Sequence, residues 1–293
     1  MKIHFCGVGK MGLPMAGHLA RAGHHLTVSD PCAERRELAQ EHGLAVALDV
    51  PEALARADVV FSSLPHDEAL RGVAAQVAAA ARDGTIFVDT STVSPQVSAE
   101  VARLLAGKGI AYLRVTVSGN NKMAEAAQLT VLASGPRPTY DTLLPLLQAL
   151  GPSQFYLGEA EQARLMKLVV NLMIAQTSAM LAEALTLGRK GGLDWKAMWQ
   201  VLTSSAVASP IVKAKAVQLS QRDFTPTFTV EQMIKDLDLI LGAGAVHNVP
   251  LLQTAMTQKL MHAAVVQGDA LDDYAAIIKV VERGAGLPPD LNL

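Results

Sequence analysis

Lys167 and Asn171 lie four residues apart in ARLMKLVVNLM, a stretch otherwise built largely of Leu, Met and Val. On a helix their side chains share one face. Burying a lysine beside an amide in such surroundings is costly unless the face meets water or the pair performs chemistry. The chemistry would be proton transfer, because desolvation favours the neutral amine, the form that accepts a proton near neutral pH. The alternative is a stem lying along the helix with its ammonium in water.

A second chemical pattern stands near the start. Gly7-Val8-Gly9-Lys10-Met11-Gly12 spells GxGxxG between the strand-like KIHFC and a helical pattern. In that context Gly7 permits a tight turn, Gly9 lets a pyrophosphate approach the backbone and Gly12 allows close helix packing, with the helix N-terminus facing the anion. Lys10 and Met11 belong to the same turn, and Met11 is placed to line it. Asp30 ends the second strand-like run about 20 residues on, which completes the setting of a dinucleotide site. Its carboxylate suits ribose hydroxyls and repels a 2′-phosphate, favouring NAD, with NADP the alternative. Arg35 and Arg36 follow within two helical turns; they either reach back to a phosphate or form a solvated helix face.

These residues need a frame. Short apolar runs at KIHFCGV, HHLTVSD, DVVFSSLP and TIFVDTS alternate with helical patterns, a βαβα succession that predicts a doubly wound, mainly parallel Rossmann-like sheet. Further strands are expected at IAYLRVTV, QLTVLAS and SQFYLG. After Gly158 only helical patterns remain, starting with a long segment that ends at Lys190 before Gly191 and Gly192. The expected organisation is residues 1–160 as the dinucleotide-binding domain and 161–293 as an all-helical domain, joined by that long helix.

A chain of 293 residues, 50% hydrophobic and only 18% charged, reads as a compact globule of about two domains rather than a disordered tail. Its net charge of -2 offers no general attraction to nucleic acid or anionic membrane, so an acidic ligand must be held by local groups. Leu239 to Gln258, the longest uncharged run, is interrupted by Gly242, Gly244 and Pro250 and is not expected to span a bilayer. Cys6 and Cys32 fit neither a disulfide framework nor a zinc site, and no secretory leader is read at the N-terminus; a reduced, cytoplasmic setting is expected. Neither HExxH nor GxSxG occurs. Met11, Met15, Met166, Met173 and Met180 are expected in core packing.

Taken in order, GVGKMGLPMAGHLARAGHHLTVSD, DTSTVSP, Ser118-Gly119, KLVVN and IKDLDL resemble the β-hydroxyacid dehydrogenase family over nearly the whole chain. The resemblance implies an active site in the cleft between a Rossmann-like and a helical domain. It implies that Lys167 is the catalytic general acid/base and Asn171 its substrate-orienting partner. It further implies that Ser118 and Gly119 form a substrate-carboxylate loop, that Lys235 lies near cofactor and substrate, and that Leu64, Pro65 and Thr92 touch the cofactor. Thr92 also has a bland reading as a helix cap, which Ser94 could equally supply. Members commonly form homodimers or homotetramers through the helical domain.

The substrate loop departs from the family's usual DAPVSGG: this chain reads Arg114-Val115-Thr116-Val117-Ser118-Gly119-Asn120, then Asn121-Lys122. Asn120, Asn121 and Lys122 are expected to add polar contacts for a larger or more polar acid, unless Lys122 and Glu125 merely solvate a helix start. The function expected is hydride transfer between a nicotinamide cofactor and a small carboxylated substrate, a 3-hydroxy acid or its semialdehyde. An imine reductase on the same fold, which Lys167 argues against, and a silent dinucleotide binder are the competing readings.

Overall fold

The computed structural model describes residues 1–288. The chain divides into two compact units, the first ending at Lys167 and the second beginning at Leu168.

The first unit is built on one sheet. Its strands are β1 (Lys2–Cys6), β2 (His25–Ser29), β3 (Ala45–Val46), β4 (Val59–Ser62), β5 (Ile86–Asp89), β6 (Ala111–Ser118), β7 (Thr130–Ser134) and β8 (Ser153–Tyr156), in the order β3-β2-β1-β4-β5-β6-β7-β8. Every neighbouring pair is parallel except β6 with β7. The segment 119–129 between those two makes a short return instead of a full helical crossover, so the chain doubles back. The helices are α1 (Gly12–Arg21), α2 (Ala33–Glu41), α3 (Val50–Arg56), α4 (Asp67–Ala80), α5 (Pro95–Ala106), α6 (Asn121–Glu125) and α7 (Arg137–Gln148).

Central strands covered on both faces are apolar at nearly every position, and β4 is buried throughout as VVFS. Successive residues serve opposite cores: Phe61 and Val88 pack with Phe5 and the Met15–Leu19 face of α1, whereas Val60 and Phe87 pack with Leu70, Val97 and Tyr112. Phe5 stacks on Phe61 and Phe87 on Tyr112, with centroids 5.8 and 5.6 Å apart.

Buried polar residues interrupt this pattern, among them Ser62, Asp89, Thr116 and His4. His4 on β1 is fully buried, its ring 2.9 Å from both Thr27 Oγ1 and Ser29 Oγ on β2. Desolvation lowers its pKa from 6.5 to about 4. Below the unfolded value the denatured chain takes up a proton that the folded ring refuses, so stability is lost as pH falls through this window, by about 3 kcal/mol at the limit. Urea midpoints measured across the window are expected to fall with acid, and His4→Gln is expected to remove the one-proton part of that slope; an unchanged slope in the variant would contradict the assignment.

The long helix α8 (Gln162–Lys190) starts in the first unit and continues into the second, followed by α9 (Trp195–Ser204), α10 (Pro210–Leu219), α11 (Val230–Val246), α12 (Leu252–Val266), a 3-10 turn at Tyr274–Ala276 and α13 (Ile277–Gly284). Thr229 and Gln232 close a capping box on α11. The second unit is pinned by buried ions: Lys215 Nζ lies 2.5 Å from Asp273, and Glu282 pairs with Arg189 and Arg222. Among the described residues, α8 alone is by length and composition apolar enough to cross a membrane, yet it carries the buried polar residues Arg164, Lys167 and Asn171. Such a load suits a helix packed within protein.

The methionine expectation needs correction. Met15 is wholly buried, but Met166, Met173 and Met180 are exposed. They recur every seven residues with Leu187 along one outward face of α8, a spacing that places them together and away from the buried Leu168, Ala175 and Ala182.

Candidate functional site

The sequence-predicted residues of the first unit converge on one edge of the sheet. Parallel β1, β2, β4 and β5 end there, followed by the glycine turn, Asp30, Leu64 and Pro65, and Thr92 respectively, and β6 ends there on Ser118 with Gly119 next. This is the edge at which parallel sheets present ligand loops.

The glycine turn has the sterics of an anion cradle. Gly7 has φ +89°, and a Cβ there would collide with the Ser63 carbonyl; one at Gly12 would collide with the Gly7 carbonyl. At Gly9 a Cβ would meet nothing within 4 Å, so the missing methyl opens onto the space a pyrophosphate needs. No side chain caps the N-terminus of α1, and no acid lies in its first turn. Its positive end is left for an anionic ligand, as a dinucleotide requires.

Asp30 ties this turn to β2: Oδ2 accepts from Val8 N–H and Oδ1 from Cys32 N–H, both at 2.9 Å. Each oxygen keeps a further lone-pair direction for a ribose hydroxyl. Arg36 does reach back, donating from Nη1 to the carbonyls of Asp30 at 2.7 Å and Pro31 at 2.9 Å. Arg35 instead lines a cavity of about 280 Å³ with Gly9, Lys10, His42 and Asn121.

Around β4 and β5, Leu64 N–H donates to Ser91 Oγ at 2.8 Å, Pro65 is exposed and Thr92 is half-buried. Ser94, not Thr92, caps α5 by accepting from Val97 N–H. On the β6 loop, Asn120 Oδ1 caps α6 by accepting from Met123 N–H at 3.0 Å, and Lys122 is exposed. Arg114 and Thr116, the departures upstream, turn inward: Arg114 pairs with Glu161, and Thr116 Oγ1 donates to the Ala163 carbonyl at 3.1 Å. They hold the entry to α8.

On α8, Lys167 and Asn171 are both buried, at 8% and 6% exposure, one turn apart. Asn171 Nδ2 donates to Asp236 Oδ2 at 2.5 Å. A carboxylate only accepts, so the amide nitrogen must face it and Asn171 Oδ1 is turned to accept from another group. The other Asp236 oxygen lies 2.9 Å from Lys235 Nζ, an ion pair off the hydrogen-bonding direction. Asp236 thus joins the two second-unit residues named from the sequence, and it was itself overlooked. The signal was present: Asp236 falls on the buried face of α11 with Met233, Leu237 and Ile240, where an acid is out of place without a task.

Asp236→Asn keeps the shape but removes the charge that orients Asn171 and pairs with Lys235. It is expected to lower kcat/KM by about tenfold or more with the fold retained, since hydrogen bonds to a charged group contribute about 1.5–3 kcal/mol. Steady-state kinetics beside a thermal melt check this.

Residues 2–158 match the model of the NAD binding domain of 6-phosphogluconate dehydrogenase, and residues 162–281 that of the NAD-binding region of NADP-dependent 3-hydroxyisobutyrate dehydrogenase. The chain is 33% identical over 291 residues to 2-(hydroxymethyl)glutarate dehydrogenase of Eubacterium barkeri, covering 98% of this chain and 97% of the relative. A solved structure of Mycobacterium tuberculosis 3-hydroxyisobutyrate dehydrogenase with L-serine superposes with a TM-score of 0.88 at 31% identity, covering 95% of this chain and 98% of that one. An imine reductase from Pseudomonas sp. is more distant, with a TM-score of 0.61 at 20% identity over 95% and 98% of the two chains, a likeness of fold alone. An N-terminal sheet with a nucleotide turn, a helical second unit and matches across both place the chain in the β-hydroxyacid dehydrogenase family.

Proposed function

We propose that the chain oxidises a small 3-hydroxy carboxylic acid, or reduces the matching semialdehyde, with Lys167 as general acid/base. The observation that carries this reading is a buried lysine one helical turn from an asparagine whose amide is fixed by a buried carboxylate. The bound nicotinamide supplies the hydride chemistry. Lys167 removes the hydroxyl proton in oxidation and returns it to the carbonyl oxygen in reduction. Asn171 orients that oxygen, held in its rotamer by Asp236. Ser118 and Gly119, at the end of β6, offer a hydroxyl and backbone N–H groups to the substrate carboxylate. Lys235 supplies a cation for an anionic ligand, the role that its place in IKDLDL implies.

NAD is the preferred cofactor, because Asp30 follows β2 beside the glycine turn, where a carboxylate suits ribose hydroxyls, and both its oxygens accept from backbone N–H groups. Arg36 beside the Asp30 carbonyl supports NADP as a second reading. The substrate is a polar acid: Asn121 and Lys122 follow the β6 loop, and one relative is named for 2-(hydroxymethyl)glutarate. The exposed row of Met173, Met180 and Leu187 on α8 supports association of two or four copies.

The experiment is NADH and NADPH oxidation with carboxylated aldehydes, and the reverse reaction with C3 to C6 hydroxy acids. Turnover with at least one substrate is expected, with NADH favoured by about tenfold or more and that preference reduced in Asp30→Ala. No turnover with any of them would refute the proposal; equal use of both cofactors would refute the role given to Asp30.

A further inference from the structure

Arg164 precedes Lys167 by three residues, about 4.5 Å along the helix axis. Its side chain is wholly buried and forms an ion pair with Asp89, also wholly buried, at the end of β5. The rest of the guanidinium is engaged: Nη2 donates to the Tyr112 hydroxyl at 2.8 Å, Nη1 to the Ser91 carbonyl at 2.5 Å and Nε to Ser98 Oγ at 3.2 Å. Asp89 Oδ1 in turn accepts from Ser62 Oγ at 2.6 Å and Ser91 Oγ at 2.5 Å, and Ser91 Oγ accepts from Leu64 N–H at 2.8 Å. The carboxylate that grips the first turn of α8 therefore also fixes the end of β4 and the loop leading to Thr92.

Flanking contacts hold the same segment. Ser134 Oγ on β7 donates to the Ala160 carbonyl at 2.7 Å and accepts from Ala163 N–H at 3.1 Å. Thr116 on β6 reaches the Ala163 carbonyl, and Arg114 pairs with Glu161.

We infer that Arg164 is a positioning residue for Lys167, setting the place of its amine relative to the loops at Leu64 and Thr92 through the shared Asp89 carboxylate. The inference rests on Lys167 being the proton-transfer group. A buried ion pair is a poor means of gaining stability, since apolar side chains of similar volume often do as well. What it supplies is directional geometry: four of the five N–H donors of a planar fork are engaged, which restrains the placement of the backbone that carries them. Proton transfer to or from Lys167 depends on that placement.

The test uses Arg164→Lys, which keeps the charge beside Asp89 but loses the fork to Ser91, Ser98 and Tyr112, and Tyr112→Phe, which deletes one hydroxyl from the network. Arg164→Lys is expected to lower kcat by about tenfold to a hundredfold while KM and the NADH dissociation constant stay within about threefold, the pattern of misplaced reacting groups. Tyr112→Phe is expected to show the same split to a smaller degree. A folded Arg164→Lys with wild-type kcat overturns the inference, as does a fall in kcat matched by an equal loss of NADH affinity. If Arg164→Lys does not fold, unchanged kcat in Tyr112→Phe overturns it. Lys167→Ala is assayed alongside: if it retains turnover, the role of Lys167 itself fails, whereas an inactive Lys167→Ala beside a fully active Arg164→Lys refutes the positioning role alone.

Discussion

Lys167→Ala is expected to lower kcat by about two to four orders of magnitude in both directions while dinucleotide affinity is retained, the range typical of losing a general acid/base. The side chain is buried on α8, one turn before Asn171. Removing the amine leaves the Asn171–Asp236 pair intact, so the oxygen is still oriented and KM is expected to change only a few-fold. Without the amine, the substrate oxygen would lose the proton donor that Lys167 supplies in reduction and the base it supplies in oxidation. Small primary amines added to the buffer are expected to restore part of the rate, because the cavity left by the lysine stem admits them. Steady-state kinetics together with NADH fluorescence titration measure both quantities. A variant that keeps wild-type kcat would place the proton-transfer group elsewhere.

Gly9→Ala is expected to abolish most dinucleotide binding, raising the dissociation constant by about tenfold or more, with the melting temperature essentially unchanged. The extra methyl meets nothing in the protein, only the space over the turn where the pyrophosphate must approach the backbone. Gly12→Ala is its counterpart. There the methyl meets the Gly7 carbonyl, so α1 has to move and about 1–3 kcal/mol of stability is expected to be lost together with binding. Thermal melts and NADH titrations of the two variants separate a ligand clash from a fold clash. A destabilised Gly9→Ala, or one that binds normally, would contradict the geometry of the turn.

The doubly wound sheet was legible because parallel strands covered on both faces need apolar runs such as VVF at 59–61, and the nucleotide turn was legible because its glycine spacing is local. Shorter elements were not. β3 is two residues at a sheet edge, and α6 is a five-residue turn, too brief for either periodicity to register. The methionines of α8 show a different limit: residue type gives apolarity, but direction around a long helix decides which of them face outward. Asp236 and Arg164 are harder still. Their partners Asn171 and Asp89 lie 65 and 75 positions away in sequence, so only the fold reveals that these charges are neutralised and what they hold. The same holds for Arg114 and Thr116, departures from the family motif whose effect residue type alone left open and which secure the approach to α8.

The most direct measurement is deuteride transfer: the purified protein is incubated with NADH deuterated at nicotinamide C4 and a panel of three- to six-carbon carboxylated semialdehydes, and the products are read by NMR. Deuterium on the new carbinol carbon of a 3-hydroxy acid, formed by wild type and not by Lys167→Ala, is the predicted result; transfer that Lys167→Ala performs equally well, or no transfer to any carboxylated aldehyde, would contradict it.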